Sequence, residues 1–128
     1  MSDVHVLDAS AILCMLFQEK GAETVEALLG SAIVSTVNYA EAISKLHERN
    51  VDENTISSIL TNFKPPIFDF DVQQSIRTAA LRNVTRSKGL SLGDRACLAL
   101  AASRNAIAVT TDKAWKDFDS IARVLLVR

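Results

Sequence analysis

Five short apolar, β-branched runs alternate with longer helix-forming stretches along this chain, and that alternation is what most narrows its fold. The runs fall at residues 4–7, 32–35, 67–70, 106–110 and 124–127. Between them the sequence predicts a helix from the Asp8–Ala9–Ser10 segment to Phe17, broken by Gly21, and a second over 22–29, ended by Gly30. Ser35 or Thr36 can cap a helix running to Asn50, and Asp52 opens one that Lys64–Pro65–Pro66 stops near Phe63. Asp71 caps a helix to Val84, with Gln74 completing a capping box, and Ser91 opens an apolar helix to Arg104 that Asn105 ends. A short helix over 112–118 precedes the last strand. The order βααβααβααβαβ implies a mostly parallel sheet covered on both faces, in which sites form beyond the carboxyl ends of the central strands.

The 128 residues suit a single domain spanning 1–128. Apolar residues make up 48% and charged residues 23%, which excludes a disordered chain. A net charge of −1 excludes a globally basic surface, so any nucleic-acid contact must be local. The stretch 77–88 qualifies, carrying Arg77, Arg82, Arg86 and Lys88 with no acid between them. Cys14 and Cys97 lack metal-ligand spacing and read as core thiols of a reducing compartment. The start, Met1–Ser2–Asp3–Val4–His5, has no basic leader region, and no apolar run approaches the ~18 residues that span a bilayer, so a cytoplasmic protein away from membranes is expected.

Four acids stand out against this frame. Asp8 follows the first strand, Glu41 lies early in the helix after the second, Asp94 begins the helix leading into the fourth, and Asp112 follows the fourth. Each has an ordinary explanation alone. Asp8 and Asp112 suit helix caps, Ser91-x-x-Asp94 reads as a capping box, and Glu41 is spaced to pair with Lys45. Jointly they converge on one sheet edge, among the small residues Ala9, Ala40, Ala42, Gly93 and Ala96. Carboxylates packed so closely repel unless a cation neutralises them, and all-oxygen ligands imply Mg²⁺ or Mn²⁺, whose sites act mainly on phosphate esters. Asp71 serves as a control, capping a helix beside a strand expected at the sheet edge. Asp3, Asp52 and Asp69 read as surface or turn residues, and Asp117 is a possible extra acid of the site.

At these residues the chain resembles PIN-domain proteins, and among them VapC-type toxins. The matching segments are Val6–Leu7–Asp8–Ala9–Ser10–Ala11, Ser35–Thr36–Val37–Asn38–Tyr39–Ala40–Glu41, the stretch from Leu90 to Ala101 that holds Leu92–Gly93–Asp94–Arg95–Ala96, and Val109–Thr110–Thr111–Asp112–Lys113–Ala114–Trp115. The resemblance implies a three-layer α/β/α fold with a five-stranded sheet in the order 3-2-1-4-5. It implies a catalytic and metal-binding set of Asp8, Glu41, Asp94 and Asp112, supported by the hydroxyls of Ser10 and Thr110. It further implies Mg²⁺- or Mn²⁺-dependent endoribonuclease activity, a homodimer, and a small antitoxin partner with which a larger complex forms. Water activated by the cation is expected to attack the phosphodiester, with Asp94 or Asp112 orienting it or taking its proton, leaving a 5′-phosphate and a 3′-hydroxyl. Arg82, Arg86, Lys88 and Arg95 are the expected contacts to the backbone of a tRNA or rRNA.

A phosphatase with an Asp nucleophile needs a second carboxylate where Ser10 stands, and a phosphorelay receiver needs an acidic pair after its first strand. His5 and His47 are placed far from the acids, against metal-free cleavage by paired histidines. Two alternatives stay open at this point: a housekeeping RNA-processing nuclease on the same fold, and a non-catalytic RNA- or partner-binding module whose acids are only helix caps.

Overall fold

The computed structural model describes residues 3–128; Met1 and Ser2, where the expected lack of a leader was partly read, lie outside it. Five strands form one parallel sheet in the order β3-β2-β1-β4-β5. They are β1 (His5–Leu7), β2 (Ala32–Ser35), β3 (Ile67–Phe68), β4 (Ile107–Thr110) and β5 (Arg123–Leu126). The central strand β1 is flanked by β2 and β4, with Val6 in register with Ile33 and Ala108, and Leu7 with Val109. Alternate residues therefore serve opposite faces. Val6, Ile33, Ala108 and Val124 enter one core with Cys97, Leu98, Leu100, Trp115 and Phe118. Leu7, Val34 and Val109 enter the other with Ala11, Ile12, Val25 and Ala42.

The helices are α1 (Ala9–Leu16), α2 (Ala22–Leu28), α3 (Thr36–Glu48), α4 (Glu53–Asn62), α5 (Val72–Ala80), α6 (Arg82–Thr85) and α7 (Leu92–Ser103). Their starts follow the local chemistry expected from the sequence. Asp8, Ser35, Asp52, Asp71 and Ser91 each accept a hydrogen bond from a backbone N–H of the first turn. Asn105 takes a left-handed conformation (φ +50°) where α7 must stop. Helix α7 is almost wholly buried from Ala96 to Ala101, because its small residues let it lie close against the sheet.

Four details depart from the sequence reading. The stretch 71–84 is two helices, not one: the chain turns at Leu81, whose carbonyl accepts both the backbone N–H of Thr85 and the Thr85 hydroxyl at 2.7 Å. Asn83, Val84 and Thr85 are weak helix formers, and a Thr back-bonded in this way bends a helix. The Asp71 cap forms, but Gln74 does not reach back to complete a box; its side-chain amide donates instead to Ser103 Oγ on α7. Gly30 lies within a 3-10 turn (Leu29–Ser31) rather than just beyond α2. The last short helix is a 3-10 segment, Lys113–Phe118, whose Trp115 and Phe118 are buried. Among the described residues no helix is long and apolar enough to cross a membrane.

Candidate metal centre

The carboxyl ends of β1 and β4 lie side by side, so the residues that follow them, Asp8 and Ser10 on one side and Thr110, Thr111 and Asp112 on the other, are brought within hydrogen-bond reach. Asp8 is buried and held from three directions. Its Oδ1 accepts the Ser10 hydroxyl at 2.7 Å and the Ala11 N–H at 2.8 Å, and its Oδ2 accepts the Thr110 hydroxyl at 2.6 Å. The two hydroxyls in turn accept backbone hydrogens: Thr111 N–H donates to Ser10 Oγ at 3.0 Å and Asp112 N–H to Thr110 Oγ1 at 3.1 Å. Two parallel relays thus run from the end of β4 into one carboxylate. Burial nonetheless dominates and pushes the Asp8 carboxyl up to about 6; the hydrogen bonds from Thr110, Ala11 and Ser10 work against that rise, and the charge of Asp94 adds to it.

Glu41 reaches the same place from α3. It is half-buried, and burial raises its carboxyl pKa, countered by the Asn38 hydrogen bond and reinforced by Asp94. The surface pairing with Lys45 does not form: Lys45 bridges Glu48 at 3.2 Å instead. The residue across from Glu41 is Gly93, in the first turn of α7. A Cβ built on Gly93 would collide with the Glu41 carboxylate, so with any other residue at position 93 that carboxylate would have to leave the place it holds here. The small residue expected to leave room for a ligand therefore makes room first for a carboxylate of the chain itself.

Asp94 completes the capping box with Ser91: its Oδ2 accepts the Ser91 N–H at 2.9 Å, and Ser91 Oγ accepts the Asp94 N–H at 3.2 Å. One turn further on, the buried Cys97 thiol lies beneath the group. Its pKa is driven well up by burial and then by the charges of Asp8, Asp94 and Glu41. Asp112 is exposed at the end of β4, capping the 3-10 segment through Ala114 N–H at 2.9 Å. It is linked to Asp8 through Thr110 rather than directly.

Among the described residues, no three His, Cys, Asp or Glu side chains close into a ready-made metal cage. The donor set still fits a hard divalent cation. It is all oxygen, two of its carboxylates are held above their usual pKa, and positive charge there would relieve the burial and the repulsion from Asp94 that hold them up. Asp94 Oδ1, Asp112 Oδ2 and Glu41 Oε2 accept no hydrogen bond among the described residues, which leaves them available as ligands.

The remaining expected residues are dispersed. Asp117 is tied to Lys88 by an exposed ion pair at 3.1 Å. Arg82 and Arg86 are exposed on and after α6, whereas Arg95 is half-buried and spends Nη1 on the Thr78 carbonyl at 3.2 Å, pinning α7 to α5. His5 lies at the opposite end of β1, facing Ser31 Oγ, and His47 is exposed on α3. The residue that sequence reasoning missed is Asn38. It is fully buried, and its amide donates to both Glu41 Oε1 and the Gly93 carbonyl. The available signal was its spacing: three positions before Glu41 on a helix, it shares that residue's face.

A family model described as PIN domain matches residues 5–121. No curated protein matches the sequence. Among solved structures, the chain is similar to a toxin–antitoxin complex from Klebsiella pneumoniae, at 19% identity over 97% of this chain and 98% of the other, with a TM-score of 0.72. It is similar to DNA-bound VapBC from Salmonella typhimurium, at 19% identity over 99% and 100% of the two chains, with a TM-score of 0.74. VapBC-1 from nontypeable Haemophilus influenzae gives 22% identity over 96% and 97%, with a TM-score of 0.71.

Proposed function

We propose, from the premise that this chain belongs to the PIN-domain family, that it is an Mg²⁺- or Mn²⁺-dependent endoribonuclease and the toxin of a VapBC-type toxin–antitoxin pair. What supports this above all is that hydrogen bonds tie the helix of Glu41 to the first turn that carries Asp94, and Asp8 to the strand that ends at Asp112, so the acids share one end of the sheet. Helix capping alone gives no reason for three carboxylates to share one partly buried place.

Asp8, Glu41, Asp94 and Asp112 would hold the cation, which when bound supplies Lewis-acid charge and a water of lowered pKa. Asp8 is the fixed member, since its hydroxyl and backbone donors allow it no second orientation. Asp94 and Asp112 each spend one oxygen on a helix start and keep the other for the cation, and one of the two would also orient the water or take its proton. Arg82 and Arg86 offer exposed positive charge for the backbone of a tRNA or rRNA, with Lys88 joining them when its pairing with Asp117 opens.

The similar structures are toxin–antitoxin complexes, which supports a small antitoxin protein as partner; the cytoplasm is the compartment we assign to the pair. An apolar groove lined by Met15, Leu16, Leu29, Ile59, Phe63 and Pro65 suits such a protein segment. Exposed Val72, Ile76 and Val84 on α5 and α6 suit a homodimer and a larger complex with the antitoxin.

One observation favours the binding-module reading: Asp8, Asp94 and Asp112 do all cap helix starts. Asp8→Asn separates the two, because Asn caps as well as Asp but carries no charge for a cation. Purified protein incubated with a tRNA and rRNA pool should make discrete cuts in Mg²⁺ or Mn²⁺, none in EDTA and none with Asp8→Asn. Absence of cutting by folded, partner-free protein would leave the module. A housekeeping nuclease would cut without an antitoxin gene beside its own.

A further inference from the structure

We infer that Asn38 is a positioning residue of the acidic centre, an amide whose role is to aim the Glu41 carboxylate and lock it to the first turn of α7. This rests on the metal-nuclease reading of that centre. Asn38 is 1% exposed, in the first turn of α3. Its Nδ2 donates to Glu41 Oε1 at 3.1 Å and to the Gly93 carbonyl at 3.0 Å, so both amide hydrogens are used. Both neighbours are pure acceptors, which fixes which way round the amide lies.

Two further features separate this from ordinary core satisfaction. Asn38 Oδ1 is buried with no hydrogen-bond partner among the described residues. That unmade acceptor is a cost that an apolar residue of the same shape would avoid, and the two hydrogen bonds the amide donates are what it is set against. The second feature is the meeting point itself. Gly93 gives its carbonyl to Asn38 while its missing Cβ makes the space that the Glu41 carboxylate occupies. Asn38, Gly93 and Glu41 are thus one junction between α3 and α7. With the amide in place, Glu41 Oε1 is engaged, while Oε2 accepts no hydrogen bond among the described residues and is left for a cation. Without it, the carboxylate is free to rotate about its own side-chain bonds, and every ligand geometry it offers is diluted.

Outer partners of metal-ligating carboxylates typically contribute about 10–100-fold in metal affinity. The test is Mn²⁺ binding to the purified protein, followed by electron paramagnetic resonance of the free ion at a temperature below every variant's melting transition. The set is wild type, Glu41→Gln, Asn38→Leu, Asn38→Ala, and each Asn38 variant combined with Glu41→Gln. Leu keeps the branching of Asn, at a larger volume, and removes both donors; Ala serves if Leu fails to fold. The expected result is a Mn²⁺ midpoint about tenfold or more weaker in the Asn38 variants. RNA cleavage should return toward the wild-type rate at saturating Mn²⁺. With Glu41 already replaced by Gln, removing Asn38 should change the midpoint by less than about twofold, because the residue acts only through that carboxylate. A merely structural Asn38 lowers the melting temperature but leaves the midpoint in place. A midpoint unmoved by either Asn38 variant, or moved equally with and without Glu41, overturns the inference while leaving the metal centre standing. Wild type that takes up no Mn²⁺ overturns the metal reading of the centre and this inference with it, whereas uptake equal to that of Glu41→Gln removes Glu41 from the ligand set and overturns this inference alone.

Discussion

Replacing Asp8 by Asn should stabilise the metal-free protein at neutral pH while abolishing its activity. Burial lifts the Asp8 carboxyl from its ordinary 3.8 to about 6. The folded state therefore keeps this proton at pH values where the unfolded chain has already lost it. Stability falls as pH rises from about 4 to about 6, and stays lower above that. A shift of about two units at ~1.36 kcal/mol each amounts to about 3 kcal/mol at pH 7.5. Asn carries no such penalty. It keeps an oxygen for Ser10 and Ala11, but its NH₂ meets the Thr110 oxygen, so the Thr110 hydroxyl must turn toward Ser10 Oγ, 3.4 Å away. That rearrangement costs about 1 kcal/mol. The net gain is about 2 kcal/mol, or about 8 °C in Tm at ~4 °C per kcal/mol. Calorimetry in EDTA at pH 4, 5, 6 and 7.5 reads it directly: the variant should melt higher at pH 7.5, and the advantage should vanish by pH 4. Mg²⁺ should raise the wild-type Tm more at pH 7 than at pH 5, and leave Asp8→Asn unmoved. A variant that melts below wild type at pH 7.5 in EDTA, or a gap independent of pH, would refute the account of Asp8 as a buried charge awaiting a cation.

Three further outcomes are expected. Gly93→Ala should leave Tm within about 3 °C of wild type, because the helix-propensity gain of ~1 kcal/mol offsets the lost Asn38–Glu41 hydrogen bond, yet cut metal-dependent cleavage about 10–100-fold by evicting the Glu41 carboxylate; unimpaired cleavage would show that Glu41 acts from elsewhere. Thr110→Val should cost about 2–3 kcal/mol in urea unfolding, since it strips a donor from Asp8 and an acceptor from the Asp112 N–H, and should move the pH onset of cleavage upward as Asp8 loses the bond that holds its pKa down. Arg82→Gln and Arg86→Gln should each weaken binding of uncleaved RNA and reduce the slope of log Kd against log salt by about 1, measured with Asp8→Asn as the inactive background.

The sheet was readable because each strand is a short apolar run closed by a residue that caps the next helix, as at Leu7–Asp8 and Val34–Ser35. The order 3-2-1-4-5, expected from the family resemblance, is the order observed. What escaped depended on partners distant in sequence. Gln74 has the spacing of a capping box but is drawn off by Ser103 on α7. Arg95 has the charge to contact RNA but is half-buried against the end of α5. The bend at Leu81 is the local exception, set by the Thr85 hydroxyl on a carbonyl four positions back. At the acidic centre, the sequence placed the strand ends and Asp94's cap. It was silent on how Glu41 is held, because Asn38 and Gly93 are 55 positions apart and carry no charge.

The relays that join the end of β4 to Asp8 also set when the centre can come into being. Thr110 reaches Asp8 across 102 positions, and Thr111 reaches Ser10 across 101. Contacts of such span are the last to be rewarded in folding, because the loop between them must be closed first. On a ribosome making the chain from its N-terminus, Asp8 and Glu41 emerge early, but the strand that orients Asp8 has yet to be synthesised. An unfinished chain therefore carries the acids without the arrangement, and the centre appears only once β4 has slotted beside β1.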